Sequence, residues 1–122
     1  MNEKLINTIN KTVVLTSEDV QLCGQFFETV LVLKNTILEE QDKVPTYLYF
    51  ISSGFIRLFY NDENGDEITT NLSSSNAFIA SFISLIHQKK AKENVECITE
   101  CDIVKIHRNN LLSLIEKSEN FK

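Results

Sequence analysis

Three cysteines and two histidines are the side chains of this sequence best suited to metal binding or nucleophilic chemistry. Cys97 and Cys101 are four residues apart, but the segment before Cys101 looks like a strand, and a metal pair would need two further ligands. His87 and His107 lie in a predicted loop and at a predicted strand end, and no Ser/His/Asp or Cys/His arrangement has a credible spacing. We therefore predict reduced thiols that serve packing, no metal, no cofactor and no catalytic residue.

Basic residues are too few and too scattered for a nucleic-acid surface, which needs a Lys/Arg stripe to neutralise phosphates. The formal net charge is −5, and the densest basic cluster is Lys89, Lys90 and Lys92. This chain alone is therefore not expected to bind nucleic acid.

The length of 122 residues, with 43% apolar and 24% charged residues, is typical of one globular domain. No apolar run approaches the roughly 20 residues of a membrane span. The segment from Met1 to Leu5 lacks the basic-then-apolar order of a signal peptide. We expect a cytoplasmic protein with no membrane partner.

Helical periodicity marks both ends of the domain, which we take as residues 1–122. Apolar positions three and four apart predict short helices within residues 3–27, the second of them capped by Thr16 or Ser17. The same spacing returns in residues 108–118, where Asn109 or Asn110 is the expected cap.

Between these helices, residues 30–107 predict about eight short strands that form a roll. The aromatic and β-branched run Tyr47–Tyr60 indicates two strands with a tight reversal at Gly54. Arg57 interrupts this apolar pattern and faces either solvent or the interior of the roll. Asn64-Gly65 predicts a type I′ hairpin, which requires positive φ at both central residues.

The second half of the roll contains one more predicted helix and a final pair of strands. Apolar spacing in Phe78–Ile86 predicts a short helix that begins near Asn76 or Ala77. Residues 94–99 and 102–107 alternate apolar with polar and indicate an antiparallel pair. The predicted fold class is mainly β with flanking helices, a double-stranded β-helix of jelly-roll type.

This order of elements resembles the cyclic-nucleotide-binding domain of bacterial regulators in the catabolite activator and fumarate-nitrate regulator (Crp/Fnr) family. The residues that carry the resemblance cover nearly the whole chain: Leu48 to Tyr60, Asp62 to Gly65, Phe78 to Ser81, and Asp102 to Ile106 before Leu111 and Leu112. The resemblance implies a sensor domain of a transcription regulator that responds to a small effector.

The phosphate-binding cassette is where this sequence departs from that family. There the cassette opens with Phe-Gly-Glu and ends with an Arg-Ser or Arg-Ala pair; Glu holds the ribose, and Arg with a helix amino terminus holds the cyclic phosphate. Aligned without gaps, this sequence has Ala80 and Ser81 in place of Gly-Glu, and Ala91 and Lys92 in place of the Arg pair. We therefore do not expect cAMP to bind.

Cassette positions are nevertheless the candidate ligand-binding residues: Ile79, Ala80, Ser81, Ser84, Lys90, Ala91 and Lys92. Lys90 or Lys92 could supply a point charge to an anionic effector resting on the predicted helix, or could belong to a solvated loop. Ser81 and Ser84 either line a pocket or face solvent, and Ile79 is expected in the core.

Members of the family usually continue into a long dimerising helix and a helix-turn-helix domain, and residues 1–122 contain neither. We expect the sensor half of a longer regulator, or one cut before its output domain. Such a regulator would be a homodimer and would reach DNA only through a domain that this chain lacks.

Two other functions compete with this interpretation. One is a ligand-free interaction module with a sealed roll, in which Phe55, Phe59 and Tyr60 or the terminal helix form the contact surface. The other is a small metal-dependent enzyme of cupin type, which the absence of a histidine-rich cluster from the sequence disfavours.

Overall fold

The computed structural model describes residues 3–11, 15–79 and 82–118, and for residues 82 and 83 only the backbone. Four helices and eight strands follow one another in these residues. In chain order they are α1 (Glu3–Asn10), α2 (Ser17–Phe26), β1 (Glu28–Val32), β2 (Ile37–Glu39), β3 (Tyr47–Ser53), β4 (Ile56–Asn61), β5 (Glu67–Ser73), β6 (Ala77–Ile79), α3 (Phe82–His87), β7 (Asn94–Cys97), β8 (Cys101–His107) and α4 (Arg108–Lys117).

The strands form two antiparallel sheets of four, in the orders β1-β8-β3-β6 and β2-β7-β4-β5. We call them sheet A and sheet B. Apolar side chains of both sheets meet between them, among them Tyr49, Ile51, Ile56, Val95, Cys97 and Ile103. This double-stranded roll with flanking helices confirms the predicted fold class.

Consecutive strands mostly alternate between the sheets, and two predicted reversals are therefore wrong. β7 pairs with β2 and β4, whereas β8 pairs with β1 and β3, so residues 94–99 and 102–107 do not form a pair. β3 and β4 likewise lie in different sheets. Among strands adjacent in sequence, β4 and β5 do pair, from Ile56 opposite Ser73 to Asn61 opposite Glu67.

Gly54 makes the corner where the chain leaves sheet A for sheet B. Its φ is 105°, and a Cβ there would lie 2.6 Å from Cys101 Sγ and 2.7 Å from the carbonyl oxygen of Glu100. Glycine is therefore required both by the backbone conformation and by the close approach of β8.

The loop between β4 and β5 contradicts the type I′ prediction. Gly65 has φ 82°, but Asn64 is not among the residues with positive φ. Gly65 N donates to Asp62 O at 3.0 Å, and Asp62 Oδ1 accepts from the N–H groups of Asn64 and Asp66, both at 2.9 Å. The Asp62 side chain thus satisfies the loop's donors, and one left-handed residue is enough.

The helices cover the outer face of sheet A. Leu5 of α1 packs with Phe50 and Val104, while helices α2, α3 and α4 bury Cys23, Leu85, Leu111 and Leu114 against Ile106. Thr16 caps α2 as predicted, in a capping box with Asp19. The expected cap of α4 is wrong, because His107 takes that position and its Nδ1 accepts from Asn109 N.

Candidate functional site

The segment between β6 and β7 is the one that the ungapped sequence alignment matched to the family's cassette, and the predicted start of its helix is wrong. Residues 77–79 form a strand, with Ile51 opposite Ala77 and Tyr49 opposite Ile79. Asn76 has φ 68° and donates its N–H to Ile51 O at 2.7 Å. Pairing with β3 satisfies these backbone groups and overrides the apolar periodicity, so the helix begins only at Phe82.

The seven predicted ligand-binding residues fall into three environments. Ile79, Ser84 and Ala91 are buried, Lys90 and Lys92 are exposed, and Ala80 and Ser81 lie outside the described residues. Ile79 belongs to the core between the sheets, as expected. Ligand binding by these positions stays a prediction.

Ala91, which the ungapped sequence alignment matched to the family's arginine, is only 2% exposed. Its N–H donates to Lys43 O and its carbonyl oxygen accepts from Asp42 N, both at 2.8 Å. The backbone polar groups of Ala91 therefore hold the loop after β2, and the side chain offers only a methyl group.

Arg57 does not face the interior of the roll as a free cation. On sheet B its guanidinium donates to Glu96 Oε1 of β7 and to Glu67 Oε1 of β5, both at 2.7 Å. The guanidinium carbon also lies 4.0 Å from the centroid of the Phe59 ring. The hydrogen bonds to Glu67 and Glu96 raise the pKa of Arg57 above its ordinary value.

Arg108, the other arginine of the sequence, is engaged as well. Its Nε donates to Leu85 O at 2.9 Å and its Nη2 to Ile86 O at 3.0 Å. These carbonyls end α3, where a cation is favourable. Both guanidinium groups of the chain therefore have structural partners.

Carboxyl groups occupy the region beside Ala91. The Thr70 hydroxyl group lies within hydrogen-bond distance of both Glu93 Oε2 and Leu58 O and can donate its one proton to either. Glu39, at the end of β2, is buried, and its Oε2 has no hydrogen-bond partner among the described residues. Burial, with a smaller contribution from the charge of Glu93, raises the pKa of Glu39 to about 7.

Glu39 is not among the candidate site residues predicted from the sequence. Strand β2 continues through Glu39, and its pairing with β7 shifts register between Ile37 and Glu39. Such an irregularity re-aims side chains, and its position depends on a strand more than 50 residues away. No local signal in the sequence indicates it.

A cleft of about 170 Å³ opens beside Glu39. Its walls are the segments Ile37–Glu40 and Lys43–Tyr47, together with Tyr49. The Tyr49 hydroxyl donates to Leu38 O at 3.1 Å. A buried carboxyl group, two tyrosines and apolar side chains thus surround a space the size of a small ligand.

The thiols do not form a reactive site. All three cysteines are free and buried, as predicted. Burial raises the pKa of Cys97 to about 12, with a smaller effect from Cys101, and that of Cys23 to about 11. The two thiols therefore stay protonated at neutral pH and are poor nucleophiles.

Within residues 3–11, 15–79 and 82–118, no group of three or more His, Cys, Asp or Glu side chains could hold a metal ion. None of the helices in the same ranges has the length and apolar character needed to cross a membrane.

Comparison with known proteins supplies the family. A family model of the cyclic nucleotide-binding domain matches residues 29–118. An uncharacterised protein of Haemophilus influenzae is 27% identical over 88 residues, which are 72% of this chain and 67% of that protein.

Two solved structures share the fold. The catabolite activator protein of Thermus thermophilus is 22% identical with a TM-score of 0.76; the match covers 90% of this chain but only 50% of that protein. The sensor domain of the transcriptional regulator DNR from Pseudomonas aeruginosa is 12% identical with a TM-score of 0.78, covering 97% and 77%. Because the family model spans well over half of its residues, this chain belongs to the cyclic nucleotide-binding domain family.

Proposed function

We propose that the chain is the effector-sensing domain of a Crp/Fnr-type transcription regulator whose effector is not cAMP. Family membership and the shared fold with a catabolite activator protein and a regulator's sensor domain support the regulatory role. Domains of this family are regulatory rather than catalytic, which supports a non-enzymatic function. Three free thiols fit a reducing, cytoplasmic setting.

The engagement of both arginines is the single observation that best supports an effector other than cAMP. A cyclic phosphate is bound best by a guanidinium with free donors. Arg57 is held by Glu67 and Glu96, and Arg108 by the end of α3. Ala91 gives the family's arginine position a buried methyl group instead.

Local charge supports the same proposal. Glu93 and the buried Glu39 lie near enough for the charge of one to raise the pKa of the other. A phosphate brought beside them would meet like charge in a region of low dielectric, which is unfavourable. Lys90 and Lys92, the basic residues among the candidate cassette positions, are exposed and therefore strongly solvated.

Transmission of a signal would use the helices that meet at the end of β8. Arg108 joins α3 to α4, and Ser118 Oγ donates to Asp19 Oδ1 at 2.5 Å, which joins α4 to α2. An effector that binds one arrangement of α3 more tightly would therefore shift α4 as well. In the full regulator, dimerisation and DNA binding would be carried by other segments, consistent with the net charge of −5 here.

Thermal unfolding with cyclic nucleotides tests the proposal. We expect that cAMP and cGMP, each at about 1 mM, leave the Tm of this protein unchanged. A cAMP-binding family member treated in parallel should show a higher Tm with cAMP. A saturable rise of several degrees with cAMP would show that our assignment of the cassette is wrong. Isothermal titration calorimetry provides the independent readout.

A ligand-free interaction module is the alternative, and exposed apolar residues favour it. Phe55 is 55% exposed, and Leu31 and Leu33 are 60% and 65% exposed. Phe59, expected in that contact surface, is instead buried beneath Arg57. Self-association that disappears in Phe55→Ser, together with no response to any small molecule, would favour this alternative over a sensor.

A further inference from the structure

Glu39 is a buried acid, and one of its two carboxyl oxygens has no hydrogen-bond partner among the described residues. It is 8% exposed, its Oε2 is fully enclosed, and no described residue donates a hydrogen bond to that oxygen. An ionised carboxylate in this position is costly unless a proton or a cation compensates it. A positively charged ligand would therefore not have to displace a described protein group from this oxygen.

The cleft beside Glu39 has the size and lining for an organic group. Its volume of about 170 Å³ is that of roughly six water molecules, at about 30 Å³ each. The walls combine Val44 and Pro45 with the rings of Tyr47 and Tyr49. Tyrosine rings attract ammonium groups, and Tyr47 already has Lys105 Nζ 4.3 Å from its centroid.

The lysines near the cleft are paired with carboxylates, which leaves a negative charge that favours a positive ligand: Lys105 Nζ, beside Tyr47, is 3.9 Å from Glu28 Oε1. Lys43 also lines the cleft, but Lys43 Nζ is 3.0 Å from Glu40 Oε2, and both side chains are exposed. Across the strand pair, Glu93 adds a second negative charge that acts on Glu39. The Tyr49 hydroxyl donates to Leu38 O and so is not directed to Glu39.

We propose that this cleft binds a small organic cation, an alkylammonium of about six non-hydrogen atoms, through an ion pair with Glu39 and contact with Tyr47 and Tyr49. A metal ion is a poorer occupant, because a single carboxylate supplies too few oxygen ligands. The inference rests on the proposed sensor function and names the class of effector that would replace the cyclic nucleotide.

Titration with n-butylammonium chloride tests the site, with 1-pentanol as the neutral analogue of similar size and KCl to match ionic strength. The cation should raise Tm saturably, and neither control should do so. Binding should also be about tenfold weaker at pH 6 than at pH 8, because protonation of Glu39, with its pKa of about 7, removes the charge. Calorimetry measures both affinities.

Two variants separate this carboxyl group from acids outside the cleft. Glu39→Gln should abolish the response to butylammonium, whereas Glu63→Gln, which changes an exposed acid in the loop between β4 and β5, should retain it. Tyr47→Leu should weaken binding several-fold while Glu39 is intact, and so gives a second readout if Glu39→Gln folds poorly.

Two results would overturn the inference. Equal stabilisation by 1-pentanol and butylammonium would identify an apolar cleft without charge recognition. A protein whose stability responds to pH but not to the cation would show that Glu39 binds only a proton. Neither result depends on the cAMP measurement, so failure of this inference is distinguishable from failure of the proposed function.

Discussion

Arg108 Nε donates to Leu85 O at 2.9 Å, so the first residue of α4 binds the carboxyl end of α3. The helix of the cassette segment and the helix after the roll are thereby joined by one side chain. A second bond from the same guanidinium reaches Ile86 O at 3.0 Å. Because the guanidinium is planar, the two bonds fix both distance and orientation of α3 relative to α4.

Arg108→Gln should increase the local opening of α3 more than it increases global unfolding of the domain. Loss of two charge-assisted hydrogen bonds costs about 1–3 kcal/mol, and amides of residues 82–87 should exchange roughly tenfold or more faster. Hydrogen–deuterium exchange at single-residue resolution measures this. Arg57→Gln is the matched control: it removes the other guanidinium, on sheet B, and should leave exchange in α3 unchanged.

Ser118→Ala should destabilise the packing of α4 on α2. The hydroxyl donates to Asp19 Oδ1 at 2.5 Å, and both side chains are buried. Its removal deprives a buried carboxylate of a donor, and we expect the free energy of unfolding in urea to fall by about 1–3 kcal/mol. Ser17→Ala, at the exposed start of α2, should change it by less than about 0.5 kcal/mol. Equal effects of the two variants would contradict a specific role for Ser118.

Gly54→Ala and Gly65→Ala test whether the corner between the sheets depends on close approach. Both glycines have positive φ, but an added Cβ meets Cys101 Sγ and Glu100 O at Gly54 and nothing within 4 Å at Gly65. Backbone strain alone should cost Gly65→Ala about 1–2 kcal/mol. Gly54→Ala adds steric overlap with backbone and should cost at least about 3 kcal/mol. Similar urea midpoints for the two variants would show that the start of β8 can move away from the added Cβ at no cost in stability.

Local pattern predicted where the strands of the roll lie, because aromatic and β-branched runs such as Tyr47–Tyr60 carry that information in themselves. It did not predict which strands pair. β7 and β8 are separated by three residues yet belong to different sheets, since each finds its partners far away in the sequence. The start of α3 was wrong for the same reason, because pairing of residues 77–79 with β3 is non-local.

For the candidate site, the sequence predicted only the absence of the family's ligand-binding arginine. Ala91 in place of arginine is visible in the sequence, but the capture of Arg57 by Glu67 and Glu96 requires three neighbouring strands. Glu39 was missed because its burial depends on the irregular pairing of β2 with β7. A side chain that no local pattern singles out can thus be placed in a site by distant strands.

The pH dependence of stability should reveal Glu39 directly. Its pKa is raised from 4.5 to about 7 in the folded protein, so the folded state binds the proton more tightly than the unfolded state. The resulting stabilisation is complete below about pH 4.5 and is lost as the pH rises through 7, by at most roughly 3 kcal/mol. Urea unfolding at pH 5 and pH 8.5 measures the loss.

Glu39→Gln keeps the shape of the protonated acid and cannot ionise, so its stability should change less between these two pH values than that of the unaltered protein. Glu40→Gln, whose carboxylate is exposed beside Lys43, should keep the full pH dependence. The other ionisable groups are common to the unaltered protein and Glu39→Gln, so the difference between their two curves isolates Glu39. Parallel curves for the unaltered protein and Glu39→Gln would mean that the carboxyl group reaches solvent and carries no unpaired buried charge.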